Sequence, residues 1–527
     1  MPTSATSDLS DQNPQTQAAT ESAKISILRF DPKLLVLFFM LLIIAAAARP
    51  ITDPDFWWHL RTGQYIVETS SIPYTDIFSF TRNGSEWVTH EWLSEVLMFL
   101  VFRLSGYALL ILVFALIIAA TFRITYQRAE ARAPNPYIAG LALMLGAAAT
   151  IPTWGVRPQM FSMLFAALFL WVLDRYIQDH KSRLIWWLIP AMVLWVNLHA
   201  GFAAGLALIV LTIVGVALDL YFLEKLSLPA IWQRLRTLVI VGFFTGLAAL
   251  INPNGTRMYS YPFETLRSSS MMKYIQEWRP PDFQDPMFLG LIVLIVVTLA
   301  VLAISEKPAR PSEILMLCAT AAATLRSGRN VPFFALVATP ILADHLWTWV
   351  VVRGGFKLSP SSERQRLDST KLIAAVNILL LVVAPMFAVF LRLRNSVRIQ
   401  PVIEARDFPA AAVEFIESNR ITQPIYNEYH WGGYLIWKLY PAYRVYIDGR
   451  ADVYGDQLIE DFFKIHDGEM EWRERLDKEG IQSVLVNPNI PIATLLREDN
   501  GWQKVFEDQQ AVIFTRVRTM IAPENPD

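Results

Sequence analysis

The segment Asp53-Pro54-Asp55-Phe56-Trp57-Trp58-His59-Leu60 sets two carboxylates two residues apart, with an imidazole four residues after the second. In a helix starting here, Asp55 and His59 share a face. Such a group can bind a divalent cation, or hold a base against an acceptor hydroxyl. It can equally be structural. Asp53 before Pro54 makes a good N-cap with proline at the first helical position, and Asp55 suits the positive end of the helix dipole. His90 and Glu91 open a second stretch, HEWLSEVLMFLVFRL, where Glu91 serves either a site or the dipole.

Three short turns are also polar. TWGVRPQ carries Arg157, VNLHAG carries Asn197 and His199, and LRSGRN carries Arg326, Arg329 and Asn330. Arginine grips phosphate oxygens at two points. The alternative is that these side chains reach toward lipid head groups.

These residues stand between long apolar segments. The chain has 527 residues, 54% hydrophobic and only 18% charged. A soluble protein would carry closer to a quarter charged residues. The apolar residues fall in runs of about 16–22, the length of a membrane-spanning helix. Counting them predicts a polytopic α-helical membrane protein with about 11 transmembrane helices. No charged residue lies near the middle of a run, which weakens an ion-coupled transporter. The net charge of −1 implies no nucleic-acid partner, and the single cysteine, Cys318, rules out intrachain disulfides and cysteine-rich metal sites.

Residues 1–32 read as a disordered cytoplasmic tail. The first run, Leu34 to Ala48, ends in AAAARP and reads as a retained anchor rather than a cleaved signal peptide. Lysine and arginine cluster in alternate loops, which puts the N-terminus in the cytoplasm. The first outer loop, 49–105, the loop 252–286 and the tail from 395 then lie outside. The helix after Asp55 is amphipathic and is expected to lie flat at the interface, its tryptophans forming an aromatic belt. The transmembrane domain spans 33–394.

The tail, 395–527, mixes short strands (424–428, 443–448, 483–487, 511–516) with helices (410–418, 456–465, 469–478). This alternation predicts a small soluble α/β domain with a mostly parallel sheet. Its motif EYHWGGYLIWKLYPAYRVYIDGRADVYG contains Gly432 and Gly433, which permit close backbone approach. Asp448, Arg450 and Asp452 follow an expected strand, where α/β domains place ligand sites. Arg450 between two acids can equally form a structural ion-pair cluster.

Together these residues resemble the bacterial GT-C glycosyltransferases, polytopic enzymes of the oligosaccharyltransferase and mannosyltransferase type. Three features carry the resemblance: a first span leading into an acidic motif (Asp53-Pro54-Asp55), a long first outer loop with interfacial helices, and many spans before a soluble C-terminal domain. The chain is also similar to a subgroup of bacterial membrane proteins sharing a DPDFWWHLRTG-type segment and a WGGYLIW…DGR-type tail. Trp431, Gly432 and Tyr434 approximately match the acceptor-holding WWDYG segment of oligosaccharyltransferase catalytic subunits, although its central Asp is absent.

The resemblance implies transfer of a sugar from a polyprenyl-phosphate carrier to an extracytoplasmic acceptor, a glycan, lipid or protein, at the cell membrane. Asp53 or Asp55 would be the catalytic base or ligate a divalent cation, magnesium or manganese. Arg326 and Arg329, helped by Arg157 and His199, would hold the donor phosphate. His59, His90, Glu91, Asn197 and Asn330 would line the site. Trp431, Gly432, Tyr434, Asp448 and Arg450 would bind the acceptor. Two rival readings stay open: a transporter or flippase of lipid-linked sugars, and a non-enzymatic membrane scaffold.

Overall fold

The computed structural model describes residues 31–353 and 371–517. All but the last two residues of the expected N-terminal tail lie outside that range. The bundle is built from α1 (Pro32–Ala47), α2 (Phe56–Thr69), α3 (Trp92–Arg132), α4 (Pro136–Thr150), α5 (Gln159–Gln178), α6 (Leu188–Leu198), α7 (Phe202–Phe222) and α8 (Leu228–Ala248). It continues through α9 (Arg257–Arg267), α10 (Ser269–Tyr274), α11 (Leu289–Ile304), α12 (Pro311–Arg326), α13 (Val331–Arg353), α14 (Lys371–Ile378) and α15 (Ala384–Asp407).

The apolar runs read from the sequence fall on these helices and on the short helical turns that adjoin them. Among the described residues, seven helical segments are long and apolar enough to cross a membrane, and Pro32–Ala47 and Arg183–Leu198 are shorter apolar helices. The protein is a multi-pass membrane protein. Its charges gather at the ends of the bundle. At one end Arg128 pairs with Asp174 at 2.7 Å, Arg132 with Glu313 at 3.1 Å and Lys307 with Asp344 at 2.7 Å. The acidic motif and the polar turns lie at the other end.

The helix after Asp55, expected to lie flat at the interface with its tryptophans in an aromatic belt, is instead packed within the protein. α2 is sandwiched between α3 and the C-terminal domain, and Phe56, Trp57, Trp58, His59 and Leu60 are all buried. Trp57 packs edge-on against Tyr434 and Phe408, so its apolar surface meets protein rather than lipid. Gly63 explains how α2 approaches so closely, because a Cβ there would overlap the Glu95 carbonyl of α3. α3 is broken at Ser105 and Gly106, where Gly106 takes φ +59°. The break lets the first part of α3 follow α2 and the rest run into the bundle.

α15 runs unbroken to Asp407 and carries the chain into the C-terminal domain. That domain holds α16 (Ala410–Asn419), α17 (Gly432–Leu439), α18 (Ala451–His466), α19 (Trp472–Lys478) and α20 (Pro491–Glu498). Its sheet comprises β1 (Ile425–Asn427), β2 (Ser483–Val486), β3 (Trp502–Glu507) and β4 (Val512–Arg516), in the order β1-β2-β4-β3. Only β1–β2 is parallel, and the two pairs involving β4 are antiparallel. This corrects the expected mostly parallel sheet: the 502–516 segment folds back as a hairpin. The segment 443–448 does not join the sheet. Val445 instead bridges to Ser79 of the first loop.

Candidate active site

Several turns converge at one end of the bundle. The 48–55 turn follows α1, the 151–158 turn follows α4, and His199 sits between α6 and α7. Residues 276–279 and 327–330 complete the ring. Arg49 pins the second turn by donating to the carbonyls of Ile151, at 2.7 Å, and Trp154. The Ser327 hydroxyl donates to the Glu277 carbonyl at 3.0 Å and the Gly328 N–H to the Arg279 carbonyl at 3.0 Å, tying the last two together.

Arg157 stands at the centre. Its guanidinium pairs with Asp53 and with Glu277, and lies 3.9 Å from Asp55. Asp53 Oδ1 also accepts from the Asp55 N–H at 3.0 Å. Asp55 is freer. Its Oδ1 accepts from the Trp58 indole at 3.1 Å, and its side chain remains 28% exposed. Burial and the neighbouring Asp53 carboxylate push Asp55 up to about 7, against the pull of Arg157. Burial opposes ionisation of Glu277, but Arg157 and Arg329 outweigh it and hold that group down at about 2. One carboxylate thus titrates near neutrality while its neighbour across the arginine stays ionised.

Two chambers meet at this arginine. Arg157 and Glu277 line both. The first chamber, about 600 Å³, is lined by His90, His199, Arg279, Arg329 and Asn330 among others. Arg329 forms no ion pair among the described residues, and its guanidinium lies over the Trp278 ring at 4.3 Å. The second chamber, about 730 Å³, contains Asp53 and Asp55, with Tyr429, His430, Gly433 and Gly449 of the C-terminal domain in its wall. Gly449 is required by sterics, since a Cβ there would overlap Asp55 Oδ1.

Behind the first chamber lies a buried cluster around Glu91. His90 Nε2 and His199 Nε2 each approach its Oε1 at 3.3 Å, and His59 Nδ1 lies 3.4 Å from Oε2. The Gly201 N–H donates to His199 Nδ1 at 2.9 Å, so the His199 proton sits on Nε2 and points at Glu91. His90 Nδ1 donates to the Val88 carbonyl at 3.0 Å, so its Nε2 can donate to Glu91 only as imidazolium. Burial works against that charge, yet Glu91 outweighs it and raises His90. Burial lowers His59 to about 4 and His199 to about 3, leaving both neutral. For Glu91 itself, burial is overcome chiefly by the His90 imidazolium, with its hydrogen bond and smaller contributions from His59 and His199, which holds it well below the usual carboxylate range. The ligand atoms of His59, Glu91 and Glu95 lie within 4.8 Å of one another, and Glu95 Oε2 has no hydrogen-bond partner.

The expected site residues therefore divide. Asp53, Asp55, Arg157, His199, Arg329, His90 and Asn330 line the two chambers, and His59 and Glu91 form the cluster behind them. Arg326 does not join them. It is exposed at the end of α12 and lines neither chamber, because the turn aims Arg329 inward and Arg326 outward. Asn197 is spent on structure, donating to the carbonyls of Val193 and Ile251 and accepting from the Trp92 indole at 2.8 Å.

The expected acceptor-binding residues are packing residues. Trp431 donates to the Asp407 carbonyl at 3.2 Å, Tyr434 stacks on Phe408, and a Cβ on Gly432 would overlap the Ile447 carbonyl. Arg450 is fully buried, paired with Asp448 at 2.7 Å and Asp76 at 2.8 Å, and stacked over Trp87 at 4.5 Å. It fastens the first loop to the C-terminal domain. None of these five lines either chamber.

Glu277, Glu95, Tyr429 and Gly449 were not singled out in the sequence. Glu95, four residues after Glu91, carried a readable helical spacing. Glu277 and Tyr429 carried none, since they reach the site from distant loops.

No family profile matches the chain, and comparison with curated proteins finds no match. Solved structures do match. The archaeal oligosaccharyltransferase AglB of Archaeoglobus fulgidus, in complex with an inhibitory peptide and a dolichol-phosphate, aligns at a TM-score of 0.51 and 12% identity. The alignment covers 93% of this chain and 74% of that one. The oligosaccharyltransferase of the same organism, complexed with Zn and sulfate, aligns at 0.50 and 14% identity, over 86% and 68% of the two chains. ArnT from Cupriavidus metallidurans bound to undecaprenyl phosphate gives 0.45 and 15% identity over 93% and 98%. At such identities the likeness to the two oligosaccharyltransferase structures is one of fold.

Proposed function

Since the chain has the GT-C fold, we propose that it is a membrane glycosyltransferase that moves a sugar from a polyprenyl-phosphate carrier to an acceptor hydroxyl. The observation that carries this reading is the Asp53–Arg157–Glu277 wall, with Asp55 open to one chamber and Arg329 to the other. Dolichol-phosphate in the AglB complex supports a polyprenyl-phosphate ligand for this fold.

Asp55 is the base. A carboxylate titrating near 7 is matched to taking a hydroxyl proton at neutral pH. Asp53 and Trp58 hold the local geometry. Arg329, with Arg157 and His199, receives the charge that develops on the leaving phosphate. A single displacement inverts the anomeric centre.

A divalent cation fits His59, Glu91 and Glu95 better than Asp53 and Asp55, whose charge Arg157 already offsets. Bound there, it would supply Lewis-acid and electrostatic stabilisation beside the first chamber. Zn in one of the matching structures is in keeping with such a role.

The test is loss of radiolabel from polyprenyl-phosphate sugars by the full chain in nanodiscs. Wild type should consume a carrier and Asp55→Asn should not. Equal consumption by both would remove Asp55 from the mechanism. Carrier movement across the bilayer with every glycosidic bond intact would support the flippase reading instead.

A further inference from the structure

The end of the bundle away from the acidic motif has a cavity of its own, about 270 Å³, between α3, α5, α7, α12 and α13. Eight charged groups line it, four of each sign. Six are spent on one another. Arg128 pairs with Asp174 at 2.7 Å, Arg132 with Asp174 at 3.5 Å and with Glu313 at 3.1 Å, and Lys307 with Asp344 at 2.7 Å.

The other two, Asp219 and Arg310, form no ion pair among the described residues. Gly215 lets α7 meet the start of α12, since a Cβ there would stand 3.0 Å from Ser312 Cα. One turn further along α7, Asp219 accepts from the Ser312 N–H at 2.9 Å and the Ser312 hydroxyl at 2.6 Å. A carboxylate offers about four acceptor sites, so half of them stay open. Arg310 precedes Ser312 by two residues, so an unpaired guanidinium and an unpaired carboxylate flank the same helix start. Both are reachable: Asp219 is half-buried and Arg310 exposed.

Aromatic side chains mark the level of this cavity in the bilayer. Trp187, Tyr221, Phe222 and Trp232 stand at the same end, and are 66%, 52%, 60% and 60% exposed. Tryptophan and tyrosine so placed sit among lipid head groups. The half-exposed Ile177, Leu211 and Met316 give the cavity an apolar wall as well.

We propose that this cavity binds the head group of a zwitterionic phospholipid, phosphatidylethanolamine, with its ammonium at Asp219 and its phosphate at Arg310. A wall with equal numbers of both charges matches a ligand that carries both. The volume of about 270 Å³ has room for roughly nine water-sized atoms at ~30 Å³ each, and a phosphoethanolamine head has about eight. Phosphatidylcholine has no N–H to donate to Asp219, and phosphatidylglycerol has no cation to offer it. The site does not depend on the transferase reading.

The test is native mass spectrometry of the full chain with equal amounts of phosphatidylethanolamine, phosphatidylcholine and phosphatidylglycerol of one acyl composition. Wild type should retain one phosphatidylethanolamine about tenfold over either rival, the worth of one charge-assisted hydrogen bond. Asp219→Asn and Arg310→Gln should each remove that preference. Arg394→Gln, exposed at the other end of the bundle, should keep it. Asp219 also holds the start of α12, so its variant can lose the fold. Arg310 is exposed and unpaired, and its variant tests the site without that risk.

Equal retention of the three lipids, or a preference that survives Arg310→Gln, would overturn the proposal. A preference for phosphatidylglycerol would overturn it in favour of a plain anion site. Displacement of the lipid by an equal concentration of glycerophosphoethanolamine would overturn the lipid and leave a site for a soluble zwitterion.

Discussion

Asp53 and Asp55 are two residues apart, yet their surroundings give them different work. Asp53 is consumed by Arg157 and the Asp55 N–H, whereas Asp55 keeps an oxygen toward the chamber. Asp55→Asn should lower kcat by about 10²–10⁴-fold with carrier binding retained, measured by single-turnover release of labelled sugar. A general base must be ionised, so the wild-type rate should climb as pH rises through about 7 and level off above it. A profile without that rise would remove Asp55 as the titrating base. The two arginines of LRSGRN offer a paired comparison. Arg329→Ala should reduce kcat/KM for the carrier by about 10²-fold, and Arg326→Ala should leave it near wild type. Equal effects would contradict the inward and outward placement of the pair.

At the scale of elements, the site depends on how closely α2 meets the C-terminal domain. Gly433 faces the Pro54 carbonyl and Gly449 faces Asp55 Oδ1, leaving no room for a side chain at either position. Gly449→Ala should displace Asp55 and cost about 10²-fold in kcat, because small misplacements of a catalytic group are expensive. Its thermal midpoint should change less than that of Arg450→Ala. The latter leaves Asp448 and Asp76 buried without their partner and should destabilise the junction by about 3–5 kcal/mol. Thermal unfolding in nanodiscs and protease sensitivity of the C-terminal domain would read both. Trp57 and Trp58 show why a local pattern misled. Tryptophan beside a span ordinarily marks the membrane interface, but here Trp57 is covered by Tyr434 and Phe408, and Trp58 packs against His59 and Trp87.

Across the whole molecule, polar side chains gather at the two ends of the apolar bundle. One end is a balanced network around Arg128, Asp174, Arg132 and Glu313. The other holds the chambers and the Glu91 cluster. A cation bound by His59, Glu91 and Glu95 would tie α2 to α3, and ligands that bind only the folded state raise its stability. Zn or Mn should therefore raise the thermal midpoint of wild type, and Glu95→Gln should abolish most of that rise. An equal rise in both proteins would place the cation elsewhere.

The membrane architecture was legible in the chain because each span is a local property. About twenty apolar residues must form a helix in lipid, whatever surrounds them. The mixed strand-and-helix character of the C-terminal domain was legible for a similar reason, but the direction of its sheet and the place of 443–448 were not, because strand pairing is set by distant segments. The Asp53-Pro54-Asp55 motif, His59, Glu91, Arg157 and Arg329 stood out as polar groups beside apolar runs, where polarity calls for a reason. Tertiary structure alone decided which of them meet. It chose Arg329 over Arg326, made Arg450 a fastener, and brought Glu277, Tyr429 and Gly449 to the same place from far along the chain. Those pairings rest on close approach between segments separated by hundreds of residues, and no spacing within one segment encodes that distance.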